Sequence, residues 1–232
     1  SRIDDAITRI LRVKYDLGLF NDPYGKTERT SQVGSDKNRQ IARDAVKMSM
    51  VLLKNDSSVL PLKKNKSVTV VGSGANNLGM QNGGWTVEWQ GRSTPDFKIL
   101  DGNSNEKLNI DEVTTYFKSA YGAKYDAGNV EGFFKNLDKD SNGEVNEDEF
   151  EKFITESPYQ PDGTSILKAL EEASDKKGLI TYDPRAEKIS NEDIIVAVVG
   201  ENPYAEGIGD NPTIGLSTVS YTHLRAHETI AD

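Results

Sequence analysis

The stretch DIIVAVVGENPY, Asp193 to Tyr204, is apolar without a break from Ile194 to Val199 and then stops at a glycine. A strand that reads apolar on both faces is one buried on both sides, as in a parallel sheet covered by helices. Upstream, SVTVVGSGANN (Ser67 to Asn77) is a shorter β-branched run that also ends in a glycine turn, and it is the natural partner. Between them TSILKALEEASDKKGLITYDP (Thr164 to Pro184) supplies a helix and a third strand. The predicted fold class is therefore α/β. The turn after the first strand is not a dinucleotide fingerprint, because Gly72 and Gly74 are followed by Asn77 where a third glycine belongs.

Working outward, RIDDAITRILRVKYDLG places Ile3, Ile7, Ile10, Leu11 and Leu17 on one helical face, with Gly18 where a left-handed cap belongs. A turn-rich loop follows, and RQIARDAVKMSMVLLKND resumes helical spacing through Ile41, Ala45, Met48 and Leu52. At 232 residues and 35% hydrophobic the chain is long enough for one large domain or two small ones. No apolar run approaches the roughly 18 residues of a membrane span. With no cysteine there are no disulfides, thiolate nucleophiles or cysteine-held zinc.

The net charge of -9 is not evenly spread. Residues 93–163 carry 16 acids against 7 bases, and the rest of the chain is balanced. A neutral chain interrupted by an acidic block suggests two units of different origin, and neither offers the basic stripe that nucleic acid needs.

Within the block, DKDSNGEVNEDE (Asp138 to Glu149) has the spacing of a calcium loop. Calcium takes six to eight hard oxygens, which a 12-residue loop supplies from positions 1, 3, 5, 7, 9 and 12. Here these are Asp138, Asp140, Asn142, the backbone carbonyl of Glu144, Asn146 and bidentate Glu149, with Gly143 at the sharp turn. The bland alternative, a solvated acidic hairpin, does not require Gly143 and Val145 where they stand. A second loop, DGNSNEKLNIDE, offers Asp101, Asn103, Asn105, the Lys107 carbonyl, Asn109 and Glu112, but has Glu106 in the glycine place. With two carboxylates among its ligands it should bind calcium weakly or serve as a calcium-free partner. Amphipathic segments flank both loops, Val145 can pair with Leu108, and the loop starts lie 37 residues apart, all of which resembles the paired helix-loop-helix of EF-hand proteins.

Other motifs resemble glycoside hydrolase family 3, the exo-acting β-glucosidase family: RIDDAITRILRVKYDLGLF, ARDAVKMSMVLLKND with VLPL after it, GGWTVEWQG, and VVGENPYAEGIGD. The resemblance implies a C-terminal α/β sandwich, here incomplete and interrupted by an all-α EF-hand pair. It also implies a missing N-terminal barrel that carries the aspartate nucleophile, so that this chain holds half of a retaining active site. Family likeness puts the acid/base at Glu201, and Glu206 is the competing choice; a retaining glycosidase needs such a second carboxyl opposite the nucleophile. Glu201 follows the most apolar strand, where open α/β sheets place their ligand crevice, although an ordinary strand-end carboxylate would sit there too. Trp85 resembles the tryptophan that stacks on the sugar beyond the scissile bond, the alternative being a core tryptophan, and Trp89 reads as packing.

The organisation expected is residues 1–35 as the end of the barrel and a connector, 36–92 plus 164–218 as a discontinuous sandwich domain, and 93–163 as the inserted EF-hand pair. VSYTHLRAHET resembles a translated frame of sequencing-library adaptor DNA, so 219–232 is expected to be read-through, and with it His223 and His227, the two histidines of the chain. The expected function is hydrolysis of terminal β-glucosyl residues from a β-linked glucoside or oligosaccharide, with structural calcium and without nucleic-acid or membrane partners. An alternative is a calcium-binding EF-hand or dockerin-like interaction module on a non-catalytic scaffold. Against it, a calcium sensor would need methionine-rich helices and 93–163 has no methionine, while the 37-residue spacing and phenylalanine-rich entering helices fit an EF-hand pair better than a dockerin. Weak calcium loops are typical outside cells, which favours an extracellular or periplasmic setting over the cytoplasm.

Overall fold

The computed structural model describes residues 1–24, 27–93, 95–122, 125–156, 163–189, 194–209 and 215. The expected read-through segment, 219–232, lies outside them, as does Asp193. The chain divides into two units, Ser1–Pro61 and Leu62–Asp232.

The first unit is built from two helices, α1 (Arg2–Asp16) and α2 (Asp36–Ser49). Ser1 and Asp4 form a reciprocal capping box at the start of α1, and Gly18 adopts φ 71° just beyond its end, where the sequence places a left-handed residue. Neither helix buries a residue: Ile3, Ile7 and Ile10 on the apolar face of α1 and Ile41 and Met48 on α2 are exposed.

The second unit holds a three-stranded parallel sheet, β1 (Val68–Val71), β4 (Ile180–Tyr182) and β5 (Ile194–Ala197), in the order β4-β1-β5. Val68 faces both Ile180 and Ile194 in register. Central β1 is buried at every position, whereas edge strand β5 half-buries one face and leaves Ile195 39% exposed. Its unbroken apolar run therefore overstates its burial, because the second face borders a cavity instead of close-packed side chains. Helix α8 (Ile166–Ala173) closes the other face with Leu167, whose neighbours include Val68, Val70 and Ala75. Asn77, in the place of the missing third glycine, is the N-cap of α3 (Leu78–Asn82): its side chain accepts from the Met80 amide at 2.9 Å.

Between β1 and α8 the chain makes a separate helical core from α4 (Phe97–Leu100), α5 (Ile110–Tyr121), α6 (Ala127–Leu137) and α7 (Glu147–Glu156). Leu100, Leu108, Val113, Val130, Leu137 and Val145 are its most buried residues, and the rings of Phe97 and Phe150 meet edge to face at 5.6 Å. Two short strands, β2 (Lys107–Leu108) and β3 (Val145–Asn146), join the two helix-loop-helix halves in antiparallel register, with Leu108 opposite Val145 as the sequence expects.

Candidate active-site loop and acidic loops

Beyond β5 the chain turns at Gly200 and presents Glu201, whose side chain is exposed. The carboxylate Oε2 accepts a hydrogen bond from the Tyr204 hydroxyl at 2.9 Å. That bond, and after it the carboxylate's charge, raises the Tyr204 phenol above its ordinary range. The competing carboxylate, Glu206, opens a 3₁₀ turn (Glu206–Gly209) with φ 53° and is likewise exposed.

The Glu201 loop rests against the loop that carries Trp85. A Cβ on Gly84 would lie 2.0 Å from the Tyr204 carbonyl oxygen, and one on Gly91 would lie 2.5 Å from Pro203 Cβ, so both positions need glycine for close approach. The Ala205 amide donates to Gln90 Oε1 at 2.9 Å. Trp85 itself has φ 59° and is 68% exposed. Its ring meets that of Trp89 edge to face at 6.0 Å, and its amide donates to the Trp89 carbonyl at 2.8 Å. Trp89 thus props Trp85 in an exposed posture. A mostly apolar cavity of about 470 Å³ lies on the second face of β5, lined by Ile195, Ala197 and Val199 and, from α5, by Thr115, Tyr116 and Ala120. Asn202 also lines it; Glu201 and Trp85 are not among its lining residues.

Both acidic loops fold into the same turn. In the second, Asp138 accepts from the Asn142 and Gly143 amides, at 3.0 Å each, and Asn146 accepts from the Glu149 amide at 3.0 Å. Asp138, Asp140 and Glu149 bring carboxylate oxygens within 4.8 Å of one another. Asn142 Oδ1 accepts from the Glu144 amide, and Gly143 has the positive φ of 85° its position demands. In the first loop Asp101 accepts from the Asn105 and Glu106 amides at 3.1 and 2.9 Å, and Glu106 is held at φ 63°. The two oxygens of Glu112 accept from the Asn103 and Asn109 amides, and Asn105 Oδ1 from the Lys107 amide. Lys107 forms an ion pair with Glu144 across the two loops. Arg185, which follows β4 and which no sequence pattern singled out, donates to the Asp101 carbonyl and to Ser104 Oγ, fastening the first loop beside the sheet.

The family model for the glycosyl hydrolase family 3 C-terminal domain matches residues 50–228. A periplasmic beta-glucosidase of Salmonella typhimurium is 37% identical over 111 residues, 45% of this chain and 14% of that protein. A beta-xylosidase of Formosa agariphila is 33% identical over 136 residues, 56% of this chain and 18% of that protein. Among solved structures, a point mutant of the exo-1,3/1,4-beta-glucanase of a Pseudoalteromonas species matches with a TM-score of 0.61 at 27% identity, over 99% of this chain and 28% of that one. The chain spans less than a third of each of these proteins. With more than half of its residues matched by that family model, the chain belongs to glycosyl hydrolase family 3, as its C-terminal domain.

Proposed function

We propose that this chain carries the acid/base half of a retaining, exo-acting β-glucosidase, and that residues 93–163 are an EF-hand pair inserted into that domain. The observation that carries the reading is the exposed Glu201 carboxylate, held at the end of β5 beside a loop that presents Trp85 outward. In this reading Glu201 protonates the leaving oxygen and later takes a proton from water, while Trp85 offers its face to the C–H side of the sugar beyond the scissile bond. The nucleophile comes from the family's barrel domain. On its own the chain should not turn over aryl β-glucosides, because a general acid alone contributes only roughly 10²- to 10⁴-fold. Relatives named for glucosidase, xylosidase and glucanase activity support a terminal β-linked sugar as substrate, with glucose favoured. A periplasmic relative supports a setting outside the cytoplasm.

The donor set of the second loop suits calcium: three carboxylates, two asparagine carbonyls and a backbone carbonyl, all hard oxygen. Asp138, Asp140, Asn142, Glu144, Asn146 and Glu149 would hold it. A bound ion would neutralise the gathered charge and tie the start of α7 to the loop through Glu149. The first loop, with Asp101, Asn103, Asn105, Lys107, Asn109 and Glu112, acts in this reading as the calcium-free partner.

The catalytic half of the proposal is tested in the enzyme that includes the barrel domain. Glu201→Ala should lower kcat on poor leaving groups by roughly 10²- to 10⁴-fold, spare good ones, and be partly rescued by azide. If Glu206→Ala shows that pattern and Glu201→Ala does not, the assignment falls.

A further inference from the structure

We infer that calcium held by the second acidic loop sets the posture of the Trp85 loop, acting through α7 and a contact between Phe153 and Arg92. The proposed calcium site is the premise, and the identity of the acid/base does not enter. Glu149 stands in the first turn of α7, and Phe153 lies four residues on, one turn further along the same face. The Phe153 ring meets Phe133 edge to face at 5.6 Å, and Phe133 in turn meets Phe117 at 5.3 Å, so the ring is fixed by the packing of the helical segment. Over it lies the guanidinium of Arg92, its Cζ 5.7 Å from the ring centroid and within the range of a cation–π contact. Arg92 directly follows the Gly84–Gly91 loop, which carries both tryptophans of the chain.

Two features make the Trp85 loop responsive to so small a contact. It is compact: the Trp85 amide donates to the Trp89 carbonyl and the Gly91 amide to the Glu88 carbonyl, both at 2.8 Å, and a Cβ on Gly91 would lie 2.5 Å from the Gly83 carbonyl oxygen. A displacement at Arg92 therefore moves the loop as one piece. It is also lightly held, with Trp85 68% and Trp89 49% exposed and Trp85 at a φ of 59° that a residue with a Cβ rarely adopts. Little buried area anchors such a loop, so a single contact weighs in its equilibrium. Just beyond it the chain is pinned on the sheet side: Asn77 Nδ2 donates to Ser93 Oγ at 2.9 Å, and a Cβ on Gly79 would overlap the Arg92 carbonyl oxygen. That pinned point serves as a hinge, with the loop on one side and the Arg92 side chain reaching across to α7. Ligation through Glu149 removes freedom from the first turn of α7, and the helix carries this to Phe153. Trp85 is the face offered to the sugar in the proposed function, so the link makes calcium a regulator of that subsite.

The test is the tryptophan emission of this chain, whose two tryptophans are Trp85 and Trp89, read beside the heat of calcium titration. Calcium should shift the emission and lower its quenching by acrylamide, with the same midpoint as the heat. Phe153→Leu keeps an apolar side chain and removes the ring, and Arg92→Met keeps the stem and removes the cation. Each should keep the calcium heat, lose most of the emission shift, and weaken calcium binding by about 2- to 5-fold, since coupling is reciprocal and bounded by the worth of one such contact. Heat without an emission change in the unaltered chain overturns the inference and leaves the calcium site standing. An emission shift retained in either variant overturns it too. Absence of heat removes the calcium site itself, and the link with it. Should Phe153→Leu fold poorly, Arg92→Met, which lies outside the helical segment, decides.

Discussion

The two acidic loops follow one backbone plan and complete it in different ways. At their first positions Asp101 and Asp138 each collect the amides of the fifth and sixth residues, and at their fourth positions Ser104 and Ser141 share a φ of 59°. At their eighth positions Leu108 and Val145 pair across the same two-stranded ribbon. Beyond that the chemistry diverges. The first loop engages both oxygens of Glu112 with its own amides where the second engages one of Glu149, buries Asp101 to 6% exposure, and takes two bonds from Arg185. The second gathers three carboxylates within 4.8 Å and keeps Asp140 and Glu149 outside the buried set. The lesson is that this turn can be held by donors from the protein or completed by a cation. The first loop draws on Arg185 from outside itself, and the second, whose carboxylates also accept from its own amides, gathers three of them around one point.

The sharpest way to break the comparison is to supply the ion. Calcium should bind the second loop and leave the first unchanged, giving one binding event in calorimetric titration. At roughly 100 times Kd a ligand of the native state adds about 2.7 kcal/mol of stability, which melting with and without chelator would read as a clear shift. Glu149→Gln should remove most of it, because in the proposed site Glu149 would supply two oxygens and it stands at the start of α7. No heat and no shift in millimolar calcium would leave the second loop an acidic turn.

The next largest effect tests what holds the first loop. Arg185 is 17% exposed and donates to the Asp101 carbonyl, to Ser104 and to Glu187. Hydrogen bonds from a charged donor are worth about 1.5 to 3 kcal/mol, so Arg185→Ala should destabilise the second unit by that order in urea unfolding. The calcium heat should not change. If it does, the two loops are coupled through Lys107 and Glu144 more tightly than their separate chemistry implies.

These residues mark where the sequence could be read and where it could not. The parallel pairing of β1 with β5 was legible because β-branched runs ending at Gly72 and Gly200 carry their own period and their own stop. The Leu108–Val145 pair was legible because a 12-residue plan fixes each position by count. Glu201 and Trp85 stood out by family resemblance; that their loops touch was not foreseeable, since Gly84 against Tyr204 and Gln90 against Ala205 join segments more than a hundred residues apart. Arg185 and Asn202 were missed for the same reason. Each bonds a backbone carbonyl some eighty residues away, and a backbone carbonyl has no residue identity for a sequence pattern to find.

The smallest effect separates geometry from charge in the first loop. Glu106 stands where the second loop has Gly143, and its φ of 63° lies in the left-handed region. For a residue with a Cβ that region costs roughly 1 to 2 kcal/mol, while glycine costs roughly 0.5 to 1 kcal/mol more than other residues in lost chain entropy. Relief of strain exceeds the entropy term, so Glu106→Gly should stabilise the chain by about 0.5 to 1 kcal/mol, a small rise in melting temperature. It should not create a second calcium event. The loop would still offer two carboxylates, and both oxygens of Glu112 would still be engaged by the Asn103 and Asn109 amides. A second binding heat in Glu106→Gly would mean that the backbone at the sixth position, and not the count of carboxylates, is what sets the two loops apart.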